Sequence, residues 1–355
     1  MPVEVREVAI PASLGTPEST EFERVVELQT EIEVERWGDD RFAYTAPELL
    51  ALYRDEYLPR RVFAAWDGDR CVGRATVWWE ADPAAVRGDI VIEVAPDRRR
   101  SGLGSALLER AEAVVHDLGR DVFGMFVDLP IAAAEQPGEG LRAPQGDASI
   151  PADLPGVRFA QHHGYTLRQL ERQSGLTVAG RLDEFRDAAG RREAEASAYR
   201  LVGWVDRTPE DLVESYAAAR ARMALDVPAG GLTLDEEHWD AARVRAHEDR
   251  ALEGGRMLLV QAAVAADGSV AGYTELELPP GKPVAYQSDT LVVAAHRGHG
   301  LGLRVKLANL VRLIEVAPER TDVYTWNADE NEHMLAINVA LGFEVRGLSA
   351  EWQRG

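Results

Sequence analysis

The chain has 355 residues, 46% hydrophobic and 28% charged, which suits two folded domains and excludes general disorder. Sixty acidic residues against 39 basic ones leave a formal charge of −21, which opposes binding to nucleic acid or to an anionic membrane surface. One cysteine, Cys71, excludes an internal disulfide and a cysteine zinc site; no run of about 18 apolar residues offers a membrane span, and the N-terminal segment lacks a signal core, so a cytoplasmic location is expected.

In chain order, apolar spacing predicts a strand at Val3–Val8 and helices at Glu21–Val34 and Pro47–Tyr57. Two β-prone runs, Arg61–Trp66 and Cys71–Trp79, flank Asp67-Gly68-Asp69 and predict a hairpin. A short apolar strand, Ile90–Val94, leads through an arginine- and glycine-rich loop to an amphipathic helix at Gly104–Leu118 and a strand at Val122–Val127. Gln136–Pro155, rich in Pro, Gly and Ala, reads as a mobile surface loop, with an active-site lid as its functional alternative. An acidic, Ala- and Arg-rich stretch at Arg181–Ser197 reads as a linker. The second half repeats the order: strand Arg200–Trp204, helices Pro209–Leu225 and Glu236–Leu252, and hairpin Met257–Ala265 with Val270–Leu278 around Asp267-Gly268. Strand Thr290–Val293, helix Leu303–Ile314 and strand Val323–Trp326 follow, and a final helix closes each copy.

The repetition extends to individual residues. Val94 aligns with Val292, Arg99 with Arg297, Gly102 with Gly300 and Gly104 with Gly302, all 198 residues apart and without gaps. Asp121-Val122-Phe123 matches Asp322-Val323-Tyr324 further on, and Gly73 matches Gly272 upstream. The expected organisation is therefore two tandem copies, residues 1–180 and 199–355, joined by a linker at 181–198. Each copy is expected to be an α/β unit, a central mixed sheet flanked by helices.

A strand, the loop Arg-x-x-Gly-x-Gly and a helix place unpaired backbone N–H groups at a positive helix end, a site for phosphate oxygens. A Walker A loop would need Gly-Lys-Ser/Thr, which is absent. A dinucleotide loop would need a third glycine where Leu107 and Val305 stand, and the ribose-binding acid is missing.

With Arg99-x-x-Gly102-x-Gly104 after Ile92-x-Val94-x-Pro96, and Arg297-x-x-Gly300-x-Gly302 after Thr290-x-Val292-x-Ala294, the chain resembles the GNAT-family N-acetyltransferases. The likeness covers both halves, as in the mycothiol-synthase-like two-domain arrangement. It implies an acetyl-CoA-dependent N-acyltransferase that acts by direct attack of a small-molecule amine on the thioester. It implies that loop N–H groups at Arg297, Gly298, His299, Gly300, Leu301 and Gly302 hold the CoA pyrophosphate, and that Leu291, Val292 and Val293 pair with the pantetheine amides across a gap in the sheet. Val94, Arg99, Gly102 and Gly104 are the counterparts in the first copy. Asn331, before the Leu341-Gly342-Phe343 ending, falls where the family has a CoA-contacting Asn, although a helix N-terminal polar residue reads the same way.

For the base that deprotonates the acceptor, the carboxylates on central strands are the candidates: Glu275 and Asp289, with Glu277 on the face of Glu275 and Glu93 in the first copy. His296 and His299 read as loop residues, and no spacing suggests metal ligands. The family's tyrosine, the acid for the CoA thiolate four residues before the final glycine, is replaced by Asn338 and Ala160. Only two lysines occur, Lys282 and Lys306, which leaves few candidates for a Schiff base. Acceptor recognition is expected at Arg222–Pro228 and Glu236–Trp239. The second copy, which keeps the Asn331 segment, is expected to turn over. The alternative from another class is a non-catalytic acyl-CoA-binding or sensing protein.

Overall fold

The computed structural model describes residues 3–192, 198–226 and 228–355; residues 193–197 of the expected linker and Val227 of the expected acceptor segment lie outside the described residues. Its mixed α/β architecture divides into two compact units. Unit 1 comprises residues 1–170, 230–235 and 349–355; unit 2 comprises 171–229 and 236–348.

Unit 1 begins with β1 (Glu4–Glu7), α1 (Thr20–Trp37) and α2 (Ala46–Tyr53). A capping box starts α2: Thr45 accepts from the Glu48 backbone, and the Glu48 carboxylate accepts from Thr45 N at 2.7 Å. The hairpin β2 (Arg60–Asp67) and β3 (Arg70–Trp78) turns at Gly68, whose φ of +62° suits glycine. Then come β4 (Arg87–Val94), α3 (Leu103–Asp117), β5 (Val122–Pro130) and the single turn α4 (Ile131–Ala134). The sheet order is β1-β2-β3-β4-β5, and Phe63, Ala64, Ala65 and Trp66 are all buried because helices cover both faces of the sheet. The insertion read as a mobile surface loop holds a small hairpin, β6 (Gly140–Leu141) with β7 (Ile150–Pro151), in which Ile150 is fully buried. Helix α5 (Pro155–His162) and the first residues of β8 (Thr166–Thr177) follow.

The tandem order is not kept strictly. Residues 230–235 and 349–355, far along the chain, belong to unit 1: the Asp235 carboxylate accepts from the backbone of Val86 at 2.8 Å and Arg87 at 3.2 Å, and Gln353 accepts from Thr233 N at 2.9 Å.

Unit 2 takes the end of β8, then α6 (Leu182–Arg192), β9 (Arg200–Val205), α7 (Val213–Ala221), α8 (Met223–Asp226) and α9 (Ala241–Glu253), the last capped by Asp240. It continues with β10 (Met257–Val264), β11 (Val270–Leu278), β12 (Val284–Val292), α10 (Leu301–Val316), β13 (Asp322–Ala328), α11 (Glu332–Leu341) and the first residues of β14 (Glu344–Arg354). Its strand order is β8-β13-β12-β11-β10-β9. One face of this sheet packs Leu259, Leu276 and Ala285 against Leu307 and Leu310 of α10. The other packs Val260, Ala262, Tyr273 and Leu291 against Tyr216 of α7 and Val244 of α9. Residues 182–192 of the stretch read as a linker form α6, whose Phe185 is buried in the α10-side core, a burial that contributes roughly 1.5–3 kcal/mol. A strand, β8 or β14, follows each final helix, where the sequence reading ends the copy on the helix. Among the described residues no helix is long and apolar enough to cross a membrane.

Candidate functional site

In both units the central parallel strands part company halfway. β4 pairs with β5 only from Arg87–Val122 to Ile90–Met125, although β4 runs on to Val94 and β5 to Pro130. β12 pairs with β13 only from Val284–Asp322 to Gln287–Thr325, leaving Ser288–Val292 unpaired on that edge. Each gap therefore bares strand N–H and C=O groups that an extended amide-bearing ligand can pair with.

The glycine loop lies at the end of each bared strand. Gly102 (φ +87°) and Gly300 (φ +67°) are the N-caps of α3 and α10, and neither cap supplies a side-chain acceptor. The first N–H groups of both helices thus remain for an anion, and the loops are exposed. A Cβ at Gly102 would meet nothing within 4 Å, so its left-handed backbone, not crowding, requires glycine, and Gly300 shares that backbone. The second glycines serve packing: a Cβ at Gly104 would come 3.0 Å from Phe159, and at Gly302 3.3 Å from Ile337. The loop arginines brace the frame. Arg297 Nε donates to Val292 O at 3.2 Å and Nη2 pairs with Asp226 at 3.0 Å; Arg99 Nε donates to Val94 O at 3.1 Å and Nη1 pairs with Glu35 at 2.8 Å. His299 Nδ1 donates to the loop carbonyl of Arg297 at 3.1 Å, and His296 meets the Tyr199 hydroxyl at 3.1 Å. Backbone donors, paired glycines and a parted strand together fit the pyrophosphate and pantetheine arm of a CoA thioester.

On the α7 face of the unit 2 sheet, the ladder of β11 with β12 slips between Thr274–Thr290 and Leu276–Gln287, so Ser288 and Asp289 both stand opposite Glu275. Such a bulge re-aims side chains beside a site. Glu275 is buried and saturated: Tyr216 donates to it at 3.0 Å, Arg220 at 3.1 and 3.2 Å, and His247 Nε2 lies at 3.1 Å. Burial alone would raise its carboxyl, but Arg220, His247 and Tyr216 hold it well below the usual range. With no proton affinity near neutrality and its oxygens already bonded, Glu275 is a structural anion, contrary to the expectation that it is a base. Glu277 is held down likewise, its burial outweighed by Arg256 at 2.5 Å, and it also accepts from Ser288. His247, Glu275 and Glu277 bring ligand atoms within 4.8 Å of one another, but Arg220 and Arg256 already balance the two carboxylates.

Asp289 differs. Its Oδ2 accepts from Tyr273 and forms an ion pair with Arg220, each at 3.2 Å, while its Oδ1 accepts no hydrogen bond among the described residues. Burial raises its carboxyl, Arg220 opposes that, and the negative charge of Glu275 adds to it. Arg220 and Arg243 lie over the ring of Trp239, at 4.1 and 4.8 Å from its centroid. Trp239 and Asp226 were expected near an acceptor; Arg220, Tyr216 and His247 were not, because one more Arg in an Arg-rich helix carries no signal.

On the α10 face, Asn331 caps α11, accepting from Met334 N at 3.2 Å, as its helix-terminal reading has it. Asn338 is buried; it donates to Asn327 Oδ1 at 2.6 Å and accepts from Lys306 at 2.8 Å.

Unit 1 lines its gap differently. The ladder of β3 with β4 runs without a slip from Gly73–Val94 to Trp78–Asp89. Glu93 is buried and bound by Arg74, with Arg36 at 3.7 Å. Glu33, paired to Arg36 at 2.6 Å, is pushed up to about 7: burial outweighs Arg36, and Glu93 and Asp128 add like charge.

A parted pair of parallel strands with the bare N-terminus of a helix at the gap defines the class of fold, that of the GNAT acetyltransferases. Residues 22–130 match the model of the acetyltransferase (GNAT) family. The chain is similar in structure to a tandem GNAT protein from the clavulanic acid biosynthesis pathway, with 24% identity, a TM-score of 0.73, and coverage of 99% of this chain and 98% of that one. It is also similar to a GCN5-related N-acetyltransferase from Sphaerobacter thermophilus, at 15% identity and a TM-score of 0.59, covering 99% and 95%. No curated protein matches the sequence significantly. Residues 22–130 thus carry a GNAT-family acetyltransferase domain, and the chain as a whole has the fold of a tandem GNAT protein.

Proposed function

We propose that the protein moves an acetyl group from acetyl-CoA to the amine of a small molecule, and that unit 2 carries the turnover. The observation that supports this most is Asp289, a carboxylate of raised proton affinity with one unbonded oxygen, set by a bulge beside the gap. When bound, acetyl-CoA supplies the acyl group as a thioester. Backbone N–H groups from Gly298 to Gly302 hold the pyrophosphate, and the bared edge of Ser288–Val292 pairs with the pantetheine amides. Asp289 Oδ1 takes a proton from the acceptor's ammonium, while Arg220, held by Glu275, fixes the Asp289 carboxylate.

The test mixes the purified protein with acetyl-CoA and a panel of small amines and follows thiol release. Turnover on any amine supports the proposal. CoA binding without turnover across the panel would favour an acyl-CoA sensor instead.

A further inference from the structure

On the α10 face of unit 2 lies a cation with no anion beside it among the described residues. Lys306 is 1% exposed; its ammonium donates to Asn338 at 2.8 Å and stands 5.6 Å from the centre of the Phe343 ring. The elements packed on α10 carry Asp183, Glu184, Arg186, Asp187, Arg191 and Arg192 on α6, Glu332 and His333 on α11, Glu275 and Glu277 on β11, and Asp289 on β12, while β10 carries no charge. None of them forms an ion pair with Lys306, and burial alone pushes the ammonium down to about 7. A buried, uncompensated charge is costly, and the fold does not need it: Leu108 and Ala160 fill the corresponding places in unit 1 with buried apolar atoms. The chain of contacts leads to the gap. Asn338 passes from Lys306 to Asn327, and Asn327 lies on β13 beyond Thr325, where that strand has left β12. With its Oδ1 held by the ammonium, the Asn338 amide is fixed in one orientation, with a second N–H beyond the one given to Asn327.

We propose that Lys306, acting through Asn338, stabilises the thiolate that departs when the acetyl group is transferred in unit 2. This rests on the function proposed above. In that transfer a C–N bond forms and the C–S bond breaks, its electron pair going to sulfur. Asp289 takes one proton of the acceptor's ammonium before attack, and the second proton that the nitrogen loses goes to solvent as the tetrahedral adduct collapses. The sulfur leaves as an anion beside the Asn338 N–H and the Lys306 charge, and takes its proton from solvent on release. Lys306 is thus a positioning residue of opposite charge to the leaving group, on the face of the sheet opposite Asp289.

Lys306→Met, similar in volume and free of the buried charge, is expected to melt no lower than the wild type. The thiolate ultraviolet absorbance of bound CoA, titrated with the full-length protein, reads the inference without turnover. CoA on the wild type is expected to deprotonate at lower pH than free CoA, and the Lys306→Met variant is expected to lose that shift at one site. In steady-state acetylation, kcat is expected to fall about a hundredfold, the lower end of what a proton-donating group contributes, while KM for acetyl-CoA stays within about threefold. The wild-type decline of kcat as the ammonium deprotonates above about 7 is expected to disappear with it. An unchanged thiolate titration in the variant overturns the role of Lys306, even where the wild type acetylates amines. A lowered thiol titration that depends on Lys306, with no amine acetylated, overturns the transferase reading and leaves this inference standing. Failure of CoA to bind overturns both.

Discussion

Units 1 and 2 share a loop and a pair of parted strands, and differ in almost every polar side chain around the gap. In unit 1 the β3–β4 ladder is unbroken, Glu93 is locked to Arg74, and Ala160 and Leu108 close the α3 side with apolar atoms. In unit 2 a bulge turns out Asp289, and Lys306 with Asn338 replaces that apolar pair. The loops differ as well: Arg100 takes φ +62° where unit 2 has Gly298 at φ +82°. The difference teaches that the frame of parted strands and glycine-capped loop is kept in both copies, because it is made of backbone and glycines. The chemistry rests on a few side chains that one copy can lose. The family match, on residues 22–130, follows the frame and falls on the copy with the emptier gap.

The comparison breaks most sharply at Asp289. Asp289→Asn is expected to lower kcat by roughly 10²–10⁴, the contribution of a general base, and to remove the low-pH limb of the rate profile. That limb is expected above the ordinary carboxylate range, since burial, opposed by Arg220 and aided by Glu275, raises the group. A variant with the wild-type rate and profile would move the base elsewhere.

A second contrast lies in stability against pH. Glu33 in unit 1 stands at about 7 in the fold against 4.5 unfolded, so its protonated form stabilises the fold. That contribution is complete below about 4.5 and is lost as pH rises to about 7, on the order of 3 kcal/mol. Glu33→Gln, neutral throughout, is expected to match the wild type in acid, to exceed it at pH 8 in thermal melts, and to leave acetyl transfer unchanged. Equal melts at both pH values would mean that Glu33 is ionised in the fold. The smallest effect is expected at the loop: Arg100→Gly relieves a left-handed residue and raises stability by about 1 kcal/mol in denaturant unfolding, and a lowered stability would contradict this.

Much of the frame was legible in the sequence, because glycine spacing repeated 198 residues apart reports backbone conformation, which depends little on context. Gly102 and Gly300 are indeed the left-handed caps that such a loop needs. The site's chemistry was less legible. Glu275 and Asp289 look alike on paper; only the partners brought from α7 and α9 make one a saturated anion and leave the other a free oxygen. Lys306 reads as a helix residue until its burial and its lone bond to Asn338 are seen. The transfer of residues 230–235 and 349–355 into unit 1 had no sequence signal at all, since it depends on contacts such as Asp235 with Val86, formed 149 residues apart.

The division of labour between the copies is tested most directly by two parallel variants, Gly102→Asp and Gly300→Asp, each placing a side chain and a negative charge on a left-handed cap at an anion site. With folding checked by thermal melt, acetyl transfer to a responsive amine is measured for both. Transfer is expected to survive Gly102→Asp and to collapse in Gly300→Asp. Collapse in Gly102→Asp with transfer preserved in Gly300→Asp would contradict the account and place the working site in unit 1.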